Sequence, residues 1–140
     1  MRYIESQHQI AIFKWARHPA IIKQYPEIAY LYAAKNTQKL NPMQASRHKA
    51  MGSLPGIPDI HLPVRRERAE CSIEHGCEFY LYCGLWIELK KPKDDTAAGK
   101  ISMQQNKCIE FLRQQGYMVM VCYSANEAIK IIENYLKGVL

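Results

Sequence analysis

Within Gly84-Leu85-Trp86-Ile87-Glu88-Leu89-Lys90 the residues from Leu85 onward alternate as those of a strand do. Successive side chains of a strand point to opposite faces, so Trp86, Glu88 and Lys90 share one face while Ile87 and Leu89 turn to the other, into the core. Apart from Glu88, Leu85 to Leu89 is apolar and reads as an interior strand, where a carboxylate needs a partner. The apolar run reaches back to Glu78, with a turn expected near Cys83-Gly84.

The candidate partner lies upstream. A Gly/Pro-rich elbow, Gly52-Ser53-Leu54-Pro55-Gly56-Ile57-Pro58, cannot stay regular for long, and Asp59 to Val64 follows it as a short strand. Between the two strand segments, Arg65 to Gly76 is polar and turn-like. Downstream of Lys90, a hydrophilic loop (Lys91 to Lys100) leads to a helix whose start carries a capping box, Ser102 with Gln105, and which Gly116 ends. Tyr117 to Tyr123 is a near-continuous apolar strand, and Ser124 with Glu127 forms a second capping box. It opens a last helix with the stripe Ala128, Ile131, Ile132, Tyr135 and Leu136. At the other end, a helix from about Tyr3 to Arg17 is stopped by Pro19. Ile28 to Ala33 then reads as a strand, and Asn41 to Met51 as a helical or irregular basic stretch. Helices alternating with strands in this order predict an α/β fold, a mixed central β-sheet flanked by helices, in one domain spanning residues 1–140.

Composition sets the bounds. The chain has 140 residues, 48% of them apolar and 23% charged, an ordinary globular balance that excludes disorder and is long enough for a core without a metal or disulfide staple. Nineteen Lys and Arg against thirteen Asp and Glu give +6, which favours a polyanionic partner. No apolar run is long enough to span a membrane, and Glu5 interrupts any signal-like N-terminus, so no membrane role and a cytoplasmic location are expected. Five unevenly spread cysteines read as reduced thiols. Cys71-x3-His75-x-Cys77 lacks the C-x2-C knuckle of a structural zinc site, so these are expected to be ordinary side chains. There is no P-loop, dinucleotide fingerprint or nucleophile elbow.

If the Asp59 and Glu88 strands are neighbours, their carboxylates converge on one hard cation, and the Leu89 carbonyl can add a third oxygen. Lys90 beside them would orient a nucleophile or neutralise charge on a phosphorane. The competing reading is a solvated alternating face. Gln105 likewise has two readings, as a member of its capping box or of the site, and Glu5 is favoured near a helix start by the dipole alone. Basic residues form three groups: Lys35, Lys39, Arg47, His48 and Lys49 around the elbow, Arg65, Arg66 and Arg68 after the Asp59 strand, and Lys91, Lys93 and Lys100 in the loop after Lys90. Bracketing one candidate metal site, such groups are expected to contact phosphates, with Arg47, Lys49, Arg65, Arg66, Lys91 and Lys100 foremost.

The ordered ensemble of Glu5 with Gln9, Lys49-Ala50-Met51-Gly52, Pro55-Gly56-Ile57-Pro58-Asp59, Gly84 to Lys90, Gly99-Lys100-Ile101-Ser102 with Gln105, and the tail from Leu112 to Leu136 resembles the virus-type replication-repair nuclease (VRR-NUC) domain, a branch of the PD-(D/E)xK superfamily. The resemblance covers nearly the whole chain. It implies a restriction-endonuclease-like core with Asp59 and Glu88 as ligands of Mg²⁺ or Mn²⁺, Lys90 as the catalytic lysine, and Glu5 and Gln105 as supporting site residues. Cys108 departs from the aromatic residue usual in the family three places after the glutamine, and residues 65–82 exceed a minimal version. The resemblance further implies a DNA endonuclease of phage or prophage type, with resolution of branched or four-way junctions by a homodimer as the leading expectation. A partner-dependent flap nuclease and a catalytically silent basic DNA-binding protein are the rivals. Phe79 to Tyr82, Tyr30, Tyr32, Tyr135, Leu136, Val139 and Leu140 are the candidate dimer surface.

Overall fold

The computed structural model describes residues 4–34, 40–91 and 100–139. Their order is α1 (Ile4–Ala16), α2 (Pro19–Gln24), a 3₁₀ turn (Pro26–Tyr30), β1 (Tyr32–Ala33), α3 (Pro42–Ala50), β2 (Ile60–Leu62), β3 (Arg66–Ser72), β4 (Gly76–Tyr82), β5 (Leu85–Leu89), α4 (Met103–Gln114), β6 (Met118–Cys122) and α5 (Ala125–Lys137). A four-stranded sheet runs β1-β2-β5-β6, and β3-β4 forms a separate two-stranded sheet. β2 pairs antiparallel with β1 and β5, whereas β5 and β6 are parallel with α4 as their crossover.

All five residues of β5 are buried, as the apolar reading of Leu85 to Leu89 predicts for an interior strand. The alternation separates two cores. Leu85, Ile87 and Leu89 join Ile60 and Leu62 of β2 and meet Ile12 and Ala16 of α1 and Ala128, Ile132, Tyr135 and Leu136 of α5. On the opposite face Trp86 and Val119 meet Ile109 and Leu112 of α4. Tyr135 and Leu136 are therefore core residues and not dimer surface, a correction to the expectation above. Tyr30, Phe79, Tyr80, Leu81 and Val139 do remain exposed; Leu140 lies outside the described residues.

Three further readings change. Ile28 to Ala33 is mostly not a strand: Pro26 opens a 3₁₀ turn, and the Arg17 guanidinium gathers the carbonyls of Ala29 (2.7 Å) and Leu31 (2.6 Å), leaving only Tyr32 and Ala33 to pair. Arg65 to Gly76 is not turn-like either, because Arg66 to Ser72 pairs residue for residue with β4. That register sets Cys71 opposite Cys77, and the two form a disulfide, so they are not reduced thiols; Cys83, Cys108 and Cys122 are free. The second capping box is half made. Ser124 Oγ accepts from the Glu127 N–H, but the Glu127 carboxylate takes the Tyr123 N–H instead of that of Ser124. Among the described residues no helix is long and apolar enough to cross a membrane.

Candidate active site

Extending the β2–β5 register by one pair beyond Ile60↔Ile87 sets Asp59 opposite Glu88. Residues opposed across antiparallel strands hold their Cβ atoms about 4.5–5.5 Å apart. Both carboxylates are withdrawn from solvent, Asp59 being 4% and Glu88 1% exposed, as is Lys90 at 9%. Asp59 enters from the elbow, and its Oδ2 accepts the Leu89 N–H at 2.7 Å. The carboxylate thus does what the next backbone carbonyl of a longer strand would do, and it fixes the two strands at this end.

Glu88 and Lys90 project together, as their two-residue spacing requires. Lys90 Nζ lies 3.4 Å from Glu88 Oε1, and the Lys90 N–H extends the parallel ladder by donating to Cys122 O at 2.8 Å. A buried ion pair loses hydration and survives only if further hydrogen bonds compensate. Gln105 supplies them: its Nε2 donates to Glu88 Oε1 at 2.6 Å, and its Oε1 accepts from Lys90 Nζ at 2.8 Å. Gln105 also completes the Ser102 capping box, its Oε1 accepting the Ser102 N–H at 3.0 Å. The two alternative readings of Gln105 are one arrangement.

The elbow lies against this first turn of α4. Gly56 has φ +86°, and a Cβ there would stand 2.7 Å from the backbone C and O of Gln104. Cys108 presents its Sγ to Pro55 O at 3.7 Å. A small side chain at 108 suits this close approach.

Beside the carboxylates on the same face lies a cluster that sequence reading missed. His61 stacks on Trp86 with centroids 4.0 Å apart, and its Nδ1 is 2.8 Å from the Tyr32 hydroxyl. Burial pushes the His61 imidazole below its ordinary value. Gly84 leaves the room it needs, since a Cβ there would meet Leu62 O at 3.0 Å and His61 Nε2 at 3.1 Å. The available signal was parity: His61 and Trp86 each lie two residues from a site carboxylate.

Glu5 is half-buried on α1. Among the described residues no three His, Cys, Asp or Glu side chains gather as a metal cluster. The expected donors Asp59, Glu88 and the Leu89 carbonyl offer oxygen only. Such a set suits a hard divalent cation and not a soft one.

The basic residues divide unevenly. Every residue from Asn41 to Pro55 is exposed, and this arm carries Arg47, His48 and Lys49 in the last turn of α3 with no acidic residue anywhere between Asn41 and Pro58. Lys91 follows Lys90 directly, and exposed Lys100 precedes α4. Along the chain these adjoin the elbow that leads into Asp59, Lys90 itself and the start of α4. Arg65 and Arg66 instead follow the opposite end of β2, which three residues at about 3.3 Å each place some 10 Å farther along. Arg66 is also engaged internally, bonding Glu27 Oε1 at 2.9 Å and Leu136 O at 3.1 Å. Lys35, Lys39 and Lys93 lie outside the described residues.

Comparison with known proteins adds to this geometry. Residues 4–126 match the family model described as the VRR-NUC domain. A solved structure described as a VRR_NUC domain protein superposes with a TM-score of 0.67 at 25% identity, over 96% of this chain and 88% of that one. No curated protein matches.

Proposed function

Because the chain belongs to the VRR-NUC family, a nuclease family of restriction-endonuclease-like architecture, we propose that it is a Mg²⁺- or Mn²⁺-dependent DNA endonuclease acting on branched DNA, foremost four-way junctions. The carrying observation is the opposition of Asp59 and Glu88 at one strand end with Lys90 on the same buried face. Asp59, Glu88 and the Leu89 carbonyl would hold the cation, which when bound polarises the phosphate and lowers the pKa of a coordinated water. The chain's own groups do the rest. Lys90 Nζ, on the same face as Glu88, would offset the negative charge that builds as the new P–O bond forms and the bond to the departing sugar oxygen breaks. Gln105 keeps Lys90 and Glu88 in register through that change.

The acid-free arm carrying Arg47 and Lys49, together with Lys91 and Lys100, supplies backbone contacts to the polyanion, which read shape before sequence. Paired cuts on a four-way junction need two sites related by a two-fold axis, which a homodimer provides. The β3–β4 hairpin, with Phe79 (76% exposed) and Leu81 (48%) side by side on one face, is the surface best suited to that contact. The test is digestion of a labelled panel of four-way junction, flap, splayed arm, duplex and single strand with Mg²⁺, Mn²⁺ or EDTA. Symmetric paired nicks in the junction, abolished by EDTA, are expected. Cleavage of flaps alone replaces the substrate, and binding without cleavage under either metal overturns the nuclease reading.

A further inference from the structure

We infer that Ser102 is a positioning residue for cleavage, acting through its backbone N–H on Gln105; this rests on the nuclease reading above. The chain holds a built-in comparison. α3 and α4 open with the same capping box, Asn41 with Gln44 and Ser102 with Gln105, and in both the glutamine oxygen accepts the N-cap N–H at 3.0 Å. In α3 the box lies wholly on the surface, and among the described residues Gln44 makes no bond to a charged side chain. In α4 the same oxygen also takes Lys90 Nζ, and the amide nitrogen reaches Glu88.

The consequence is orientational. A glutamine amide has an acceptor end and a donor end, and rotating it by half a turn exchanges them. With Oε1 fixed by two donors, Ser102 N–H and Lys90 Nζ, the NH₂ must face the Glu88 carboxylate. Without the Ser102 N–H, a flexible side chain would have to be ordered by the Lys90–Glu88 pair alone. Ser102 thus prearranges the amide, and through it the lysine and carboxylate, before substrate arrives.

Two substitutions separate this role from ordinary capping. Ser102→Ala deletes the hydroxyl that accepts the Gln105 N–H but keeps the backbone N–H. Ser102→Pro deletes both, and the Ser102 φ of −71° lies within the range of the proline ring. Both should melt below the parent, while Ser102→Thr should match it. S102A should keep kcat within about threefold, whereas S102P should lose about tenfold to a hundredfold in kcat with KM little changed, the signature of misplaced groups and not of weakened binding. In the metal-free protein the Gln105 side-chain amide NMR signals should move in S102P toward those of a free glutamine and stay in place in S102A. Should S102P not fold, an ester in place of the 101–102 amide removes the same N–H, with the same expected loss. Equal kcat in the alanine and proline variants, a loss confined to KM, or an unmoved Gln105 amide overturns the inference. Failure of the parent to cut any substrate strikes the nuclease reading instead, and the amide signals still decide the positioning.

Discussion

Gly56→Ala tests whether the elbow is held against α4 as closely as the site requires, and Gly52→Ala is its control. Both glycines have positive φ, +96° at Gly52 and +86° at Gly56, so an L side chain at either costs about 1–2 kcal/mol of backbone strain. The surroundings differ. A Cβ at Gly52 meets nothing within 4 Å, whereas at Gly56 it lies 2.7 Å from Gln104 C and O and 3.0 Å from Gln105 N. These are backbone atoms in the first turn of a capped helix, so no flexible tip can yield and the elbow itself must shift. Overpacking of this kind costs a further ~1–3 kcal/mol. G52A should therefore lose about 1–2 kcal/mol and G56A about 2–5 kcal/mol. Urea denaturation with a common slope measures both. Because Asp59 lies three residues after Gly56, G56A should also cleave more slowly than G52A at equal folded fraction. Equal destabilisation of the two variants would refute the close approach.

Asp59→Asn and Glu88→Gln should each abolish cleavage while near-parental far-UV circular dichroism is retained, since each replacement keeps the side-chain shape but removes a charge a divalent cation needs; residual Mg²⁺-dependent cutting by either would remove that residue from the site. Arg47→Ala with Lys49→Ala should lower the slope of log affinity against log salt by up to about two units, about one per lost phosphate contact, in gel shifts with Ca²⁺, and an unchanged slope would take α3 off the DNA. Arg66→Ala should instead lower stability and leave that slope alone, because its guanidinium ties Glu27 to the end of α5. Glu27 is held below the usual carboxylate value by a backbone hydrogen bond and then by Arg66, so its contribution is complete above about pH 4.5 and lost as pH falls through the depressed value. Glu27→Gln should accordingly flatten the acid limb of stability, read from urea midpoints between pH 7 and 3, by a small amount given its 44% exposure.

Much of the site was legible because it depends on parity and on local chemistry. Two-residue spacing sets Glu88 and Lys90 on one face whatever the topology, and Ser-x-x-Gln closes its box from four consecutive residues. The adjacency of Asp59 and Glu88 needed only that the two strands be neighbours. The misread segments depend on partners distant in sequence. Ile28 to Ala33 has strand composition, but the Arg17 guanidinium holds its carbonyls in a turn. β3 has no apolar face to announce it, since its side chains are almost all exposed and alternate charges. Its strand character comes wholly from pairing with β4, and the Cys71–Cys77 bond follows from that register. Arg66 counted as one more positive charge until Glu27 and the Leu136 carbonyl claimed it.

The β3–β4 hairpin leaves the sheet between Leu62 and Leu85, which already pair with one another, so everything from residue 63 to residue 84 is an excursion from a turn the sheet could close without it. It departs from the strand ends opposite those bearing Asp59 and Glu88. The Asp59–Glu88 pair and the candidate dimer contact thus sit at opposite ends of the same two strands, so a change in the hairpin's length would alter attachment while leaving the β2–β5 register in place. For a protein engineer the same division marks the hairpin tip, around Ile73 and Glu74, as the place to graft a targeting peptide onto a cleaving core.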